Sequence, residues 1–112
     1  MTFNLNWLTP WLATSGQVTP EDVPELAAYG FASIINNRPD NEDTVQPAQA
    51  DIRRIAETCG LRYEYLPVIM GQMTGDQIRE FSGLLDDLPR PILAFCRSGG
   101  RVAALYRMTQ EK

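Results

Sequence analysis

Cys96 ends the apolar run Ile92-Leu93-Ala94-Phe95. Arg97, Ser98, Gly99, Gly100 and Arg101 follow it before apolar residues resume at Val102, Leu105 and Tyr106. A short apolar run reads as a buried strand, and the spacing of 102, 105 and 106 reads as one face of a helix. The thiol is therefore expected at the carboxyl end of a strand, with the amides of 97–101 gathered at a helix start. Unpaired N–H groups and the helix dipole make such a loop an anion site. The same setting favours the thiolate, which is the nucleophile. Arg97 and Arg101 add forked donors suited to an oxyanion. The plainer alternative is an inert core cysteine followed by a glycine turn. Two flanking arginines and a Gly-Gly pair fit that alternative poorly, so Cys96 is read as reactive.

The chain has no histidine, which excludes a Cys-His pair, a Ser-His-Asp triad and most zinc sites. Its two cysteines lie far apart in sequence, so no metal or cofactor is expected, and activation of Cys96 must come from the loop itself. Ten basic against fourteen acidic residues give a net charge of −4. That balance argues against nucleic-acid binding, while leaving room for a small anion where arginines cluster. A length of 112 residues supports one domain, 1–112, with one modest core. No apolar run is long enough to span a bilayer, and the Met1-Thr2-Phe3-Asn4 start lacks a basic signal region. Two cysteines without a secretory segment suggest a reducing compartment, so a cytoplasmic location and no membrane partner are expected.

The elements that must hold Cys96 follow from periodicity. Phe3, Leu5 and Trp7 alternate as a half-exposed edge strand, and Trp11-Leu12-Ala13 reads as a second short strand. Thr14-Ser15-Gly16-Gln17 is a turn that could place Ser15 and Gly16 near a ligand. Thr19-Pro20-Glu21-Asp22 opens a short helix with Val23, Leu26 and Ala27 inward and Gly30 at its end. Phe31–Ile35 is a buried strand running into the polar loop 36–43. Arg38 there reads either as a group near the substrate or as a surface residue paired to Asp40 or Glu42. Residues 46–58 read as a helix with Ile52, Ile55 and Ala56 inward, and 61–66 as the next strand. Thr74-x-x-Gln77 caps a third helix with Ile78, Phe81, Leu84 and Leu85 inward. Strands alternating with helices predict a small, mostly parallel sheet covered on both faces, an α/β fold. Cys59 precedes a strand and Cys96 follows one, so the two belong at opposite ends of the sheet, beyond disulfide reach. Phe3, Trp7 and Trp11 either cover the open end of the core or form a contact patch, so a monomer or a weak dimer is expected.

Three spaced motifs, 15–21, 30–31 with 35–42 (including Asn36-Asn37-Arg38-Pro39-Asp40) and 92–101, resemble the beta-lactamase hydrolase-like proteins, the DUF442 phosphatase-like domain family. Some members of that family are called sulfur transferases. The resemblance covers essentially the whole chain. It implies a protein-tyrosine-phosphatase-like fold, related to dual-specificity phosphatases, with the cysteine loop between the last strand and last helix. It also implies Cys96 as nucleophile, 97–101 as the anion-cradling loop and Arg101 as the residue that closes it. Arg38 and Asn36 match polar residues of the second motif, while Asn37 stands where an apolar residue is usual. Members occur alone or fused to metallo-β-lactamase-like or persulfide-handling enzymes, which makes such enzymes candidate partners.

Two departures bear on the chemistry. Four residues rather than five separate Cys96 from Arg101, and Val102 stands where a hydroxyl is usual, which is closer to the loops of rhodanese-type sulfurtransferases. The loop 70–73 carries no carboxylate to act as general acid, leaving Asp76 and Asp40 (with Asp43 beside it) as candidates. The expected function is accordingly sulfur transfer through a Cys96 persulfide, with a small anionic or thiol-bound substrate. Phosphatase chemistry through a phosphocysteine, or oxyanion binding without turnover, are the alternatives. Arg97, Ser98, Gly99, Gly100, Arg38 and Asn36 are the expected anion-binding residues.

Overall fold

The computed structural model describes residues 4–111. Five strands form one sheet: β1 (Asn6–Thr9), β2 (Leu12–Ser15), β3 (Ser33–Asn36), β4 (Arg62–Tyr65) and β5 (Ile92–Phe95). Four helices accompany them: α1 (Val23–Tyr29), α2 (Gln49–Thr58), α3 (Gly75–Asp87) and α4 (Gly100–Gln110). The sheet order is β1-β2-β5-β3-β4, and only the β1–β2 pair is antiparallel. The alternating sequence thus builds the mostly parallel sheet its periodicity predicts.

Strands β2, β3 and β5 are buried along their whole length, because helices cover both faces. Alternate side chains feed two cores. Leu12, Ile35, Ile92 and Ala94 pack with Phe81 and Leu85 of α3 and with Val102 and Leu105 of α4. Ala13, Ile34, Leu93 and Phe95 pack with Val23 and Leu26 of α1 and with Ile52 and Ala56 of α2. Cys59, at the end of α2, joins the second core, and Cys96 belongs to the first. Both thiols are free.

Local chemistry sets most element ends. Pro20–Asp22 forms one 3-10 turn before α1, with the Thr19 N–H donating to Asp22 Oδ2 at 2.9 Å. Thr74 and Gln77 exchange backbone-to-side-chain hydrogen bonds at 3.0 and 3.1 Å, completing the α3 capping box. Helix α2 starts at Gln49 rather than residue 46, because its first turn is capped from a distance: the Gln49 N–H donates to Asp40 Oδ1 at 2.8 Å. Trp7 is 41% exposed and stacks on Phe31, while Trp11 packs on the other core beneath the Arg90 guanidinium. The two tryptophans therefore cover opposite faces of the sheet and form no common patch. Phe3 lies outside the described residues. Among the described residues no helix is long and apolar enough to cross a membrane.

Candidate functional site

Register decides where the loops meet. Ser15 pairs with Phe95, Phe95 with Asn36, and Asn36 with Tyr65, so four parallel strands end level. The next residue of each chain, Gly16, Cys96, Asn37 and Leu66, stands in one row along the carboxyl edge. That edge is where ligand loops collect in parallel sheets. Hydrogen bonds continue the ladder past the strands: Asn37 N–H to Phe95 O at 2.9 Å, Leu66 N–H to Asn36 O at 2.9 Å, and Val68 N–H to Asn37 O at 3.0 Å. Asn37 is fully buried and its Nδ2 donates to Leu66 O at 2.9 Å. A polar residue thus fills the position where the resemblance calls for an apolar one, by tying the exits of β3 and β4 together.

Cys96 leaves the central strand β5 and is 1% exposed. Its Sγ accepts the Gly99 N–H at 3.0 Å. The loop can turn so tightly because Gly99 sits at φ +92°, a left-handed conformation that costs glycine little. Gly99 is also closely backed, with Thr14 Oγ1 and Ser15 O near the place a Cβ would take. Gly16 lies against the loop from the other side: a Cβ there would stand 3.0 Å from Arg97 O. Arg97, Ser98 and Gly100 are exposed around this turn, and α4 begins at Gly100. The thiol, the Gly99 amide and the start of α4 therefore lie together between the last strand and the last helix.

Arg101 is only 5% exposed. Its Nη1 donates to Glu42 Oε2 at 2.9 Å and to Val68 O at 2.8 Å, and its Nη2 donates to Glu42 Oε1 at 3.1 Å. Its Nε is buried without an acceptor. A buried charged donor with no partner is costly. Arg38, 4% exposed, donates from Nε to Glu42 Oε1 at 3.0 Å and from Nη1 to Gln17 Oε1 at 2.8 Å. Burial acts to raise the Glu42 pKa, but the hydrogen bonds from Arg101 and Arg38 outweigh it and hold the carboxyl below its ordinary range. Asn41 at φ +67° turns the loop so that Glu42 reaches back to both arginines.

The other residues singled out from sequence fall elsewhere. Asn36 faces the α1–α2 side. Its Nδ2 donates to the Tyr63 hydroxyl at 3.1 Å and its Oδ1 accepts the Arg38 N–H at 2.9 Å, so it shapes the loop that carries Arg38. Asp40 spends its carboxylate on the α2 start, and its N–H donates to the Tyr65 hydroxyl. Burial pushes the Tyr65 phenol up. Asp76 lies exposed in the first turn of α3, paired with Arg79. Asp43 is exposed on the Glu42 loop. The structure thus joins the Gly99 amide to the Cys96 thiol and brings Arg38 to Arg101 through Glu42, while Asp40 is bonded to the α2 start and Asp76 to Arg79. Glu42 as partner of Arg101, and Gln17 as partner of Arg38, are absent from the sequence reading. Among the described residues no group of three His, Cys, Asp or Glu could hold a metal.

Residues 4–112 match the family model described as beta-lactamase hydrolase-like protein, phosphatase-like domain. The chain is 37% identical over 95 residues to a beta-lactamase hydrolase-like protein of Agrobacterium fabrum, covering 85% of this chain and 22% of that protein. A protein of the same description from Xylella fastidiosa is 34% identical over 99 residues, covering 88% and 23%. The chain therefore spans less than a quarter of the curated relatives it matches. Among solved structures, a candidate phosphatase of Neisseria meningitidis superposes with a TM-score of 0.86 at 31% identity, covering 93% of this chain and 74% of that one. A kinase associated phosphatase shares the fold at a TM-score of 0.67 and 12% identity, covering 100% and 78%. The architecture is accordingly that of the cysteine-dependent phosphatases, with Cys96 between the last strand and the last helix.

Proposed function

The chain belongs to the phosphatase-like domain family of the beta-lactamase hydrolase-like proteins, and on that premise we propose that Cys96 carries a phosphoryl group from small phosphoesters to water. One observation carries this reading. Cys96 Sγ already accepts the Gly99 N–H, in a loop whose buried Arg101 Nε still lacks an acceptor. The Cys96 thiolate attacks phosphorus, an S–P bond forms, and the O–P bond breaks with its electron pair leaving on the ester oxygen. Water then attacks the phosphocysteine, releasing inorganic phosphate and restoring the thiolate. Loop amides and Arg101 meet the charge on the equatorial oxygens. Asp40 and Asp76 are committed elsewhere, so the leaving oxygen departs without their help. Substrates with acidic leaving groups, such as aryl phosphates, are favoured.

That same commitment of the carboxylates favours a second reading, the sulfur transfer expected from the shortened loop. There the thiolate attacks the sulfane sulfur of a donor such as thiosulfate. A Cys96 persulfide forms while sulfite leaves with the electron pair of the broken S–S bond, and no acid is required. The family description and the shared phosphatase architecture support phosphoryl transfer over it. Intact-mass spectrometry after incubation with an aryl phosphate or with thiosulfate, beside a Cys96→Ser control, tests the choice. Phosphate release that needs Cys96, with a trapped phosphoryl adduct, is expected. A single added sulfur on Cys96 without aryl phosphate cleavage would overturn phosphoryl transfer in favour of sulfur.

A further inference from the structure

Gln17, Arg38, Glu42 and Arg101 come from two loops and the first turn of α4 and form one unbroken line of hydrogen bonds. The two guanidinium side chains in it are 5% and 6% exposed, and one carboxylate, 24% exposed, lies between them. Like charges brought together out of water repel unless compensated, and Glu42 supplies the compensation by accepting from both. The bonds also set direction. With Nη1 held by Glu42 and Val68 O, and Nη2 held by Glu42, the Arg101 plane cannot turn about its stem.

The geometry points to Glu42 as a positioning residue for oxyanion capture: it pins Arg101 so that Nε remains as the donor for the substrate. Arg38 then acts through Glu42 rather than on the substrate. Its Nε and Nη1 are already spent on Glu42 and Gln17, and it is as buried as Arg101. This inference rests on the oxyanion reading of the Cys96 loop. It differs from two other roles a carboxylate could take there. A general acid would have to be protonated, whereas Glu42 is held ionised by two arginines. A plug that occupies the anion seat would compete with substrate, so removing its charge would strengthen binding instead of weakening it.

The test is the affinity of inorganic tungstate, a tetrahedral oxyanion, measured by calorimetry. Glu42→Gln keeps the shape and removes the charge, and it is expected to weaken tungstate binding by about tenfold or more. Glu42→Asp keeps the charge one carbon shorter and should recover part of that loss. It also decides the question should Glu42→Gln fail to fold. Arg38→Met should weaken binding too, yet the double variant Arg38→Met, Glu42→Gln should bind no worse than Glu42→Gln alone, because one residue works through the other. Aryl phosphate turnover should follow with a fall in kcat, since an unpinned Arg101 misses the transition-state charge. Tungstate binding that is unchanged or tighter in Glu42→Gln overturns the positioning role, and additive losses in the double variant overturn the indirect role of Arg38. Failure of the unaltered protein to bind any oxyanion would instead overturn the cradle reading on which this inference stands.

Discussion

Gly16→Ala isolates the geometry of the cysteine loop from its chemistry. Gly16 brings no functional side chain to the site, but a methyl group there would lie 3.0 Å from Arg97 O and 3.8 Å from Ser98 Cα. Ordinary contact begins at 3.4 Å, so the Arg97 peptide must retreat by about 0.4 Å. Gly16 is not in the left-handed region, so alanine can adopt its backbone conformation and should stabilise by about 0.4–1 kcal/mol through the unfolded state. The crowding costs on the order of 1 kcal/mol, leaving net stability within about 1 kcal/mol of the parent. Activity should respond more. If 1 Å of misplacement costs about a hundredfold, a shift of about 0.4 Å scales to a loss on the order of five- to tenfold. Urea unfolding measures the first quantity, and steady-state aryl phosphate cleavage per folded molecule measures the second. Unaltered turnover in a folded variant would refute the claim that the Gly16 contact sets the loop, as would a collapse in stability with specific activity intact.

Other perturbations have defined outcomes. Cys96→Ser should reduce turnover to background while leaving melting nearly unchanged and tungstate binding measurable, because the loop amides and Arg101 remain. Glu42, held below its ordinary value of 4.5, contributes stability that is present above that pH and is lost as pH falls through its lower folded value. Acid unfolding of Glu42→Gln should therefore show a shallower limb below about pH 4.5. Tyr63 behaves with the opposite sign. Burial, ahead of all other causes, pushes its phenol from 10.0 up to about 12, so its contribution holds below pH 10 and is lost as pH rises toward 12. Tyr63→Phe should flatten that alkaline loss, and at neutral pH should cost about 1 kcal/mol for the Asn36 hydrogen bond. Phe81→Ala, at a fully buried α3 position, should destabilise by about 3–5 kcal/mol in chemical denaturation.

Much of the fold was readable because its signals are local. The capping box at Thr74, the apolar stripe Ile78, Phe81, Leu84 and Leu85, and the four-residue apolar run of β5 each depend on residues a few positions apart. Helix α2 shows the limit. Its start moved from residue 46 to Gln49 because the cap is supplied by Asp40, which lies beyond the window a periodicity reading uses. Asp40 illustrates the same point for chemistry. A carboxylate in a ligand-side loop reads as a candidate acid, yet the nearest helix N-terminus takes it.

The cysteine loop itself belongs to the first class. Cys96, the Ser98-Gly99-Gly100 turn and Arg101 lie within six consecutive residues, so the sequence alone determined that they would follow one another between the last strand and the last helix. What that guanidinium does was decided only by tertiary structure. Arg101 and its partner Glu42 are 59 residues apart, and no pattern of charge along the chain selects that pairing over Arg38 with Asp40. It follows from strand order and register: β3 lies beside β5 and ends level with it, so the loop after Asn36 is delivered to the loop after Phe95. Contacts made by chain continuity are written in the sequence directly, whereas contacts made by neighbouring strand ends exist only once the sheet has been assembled.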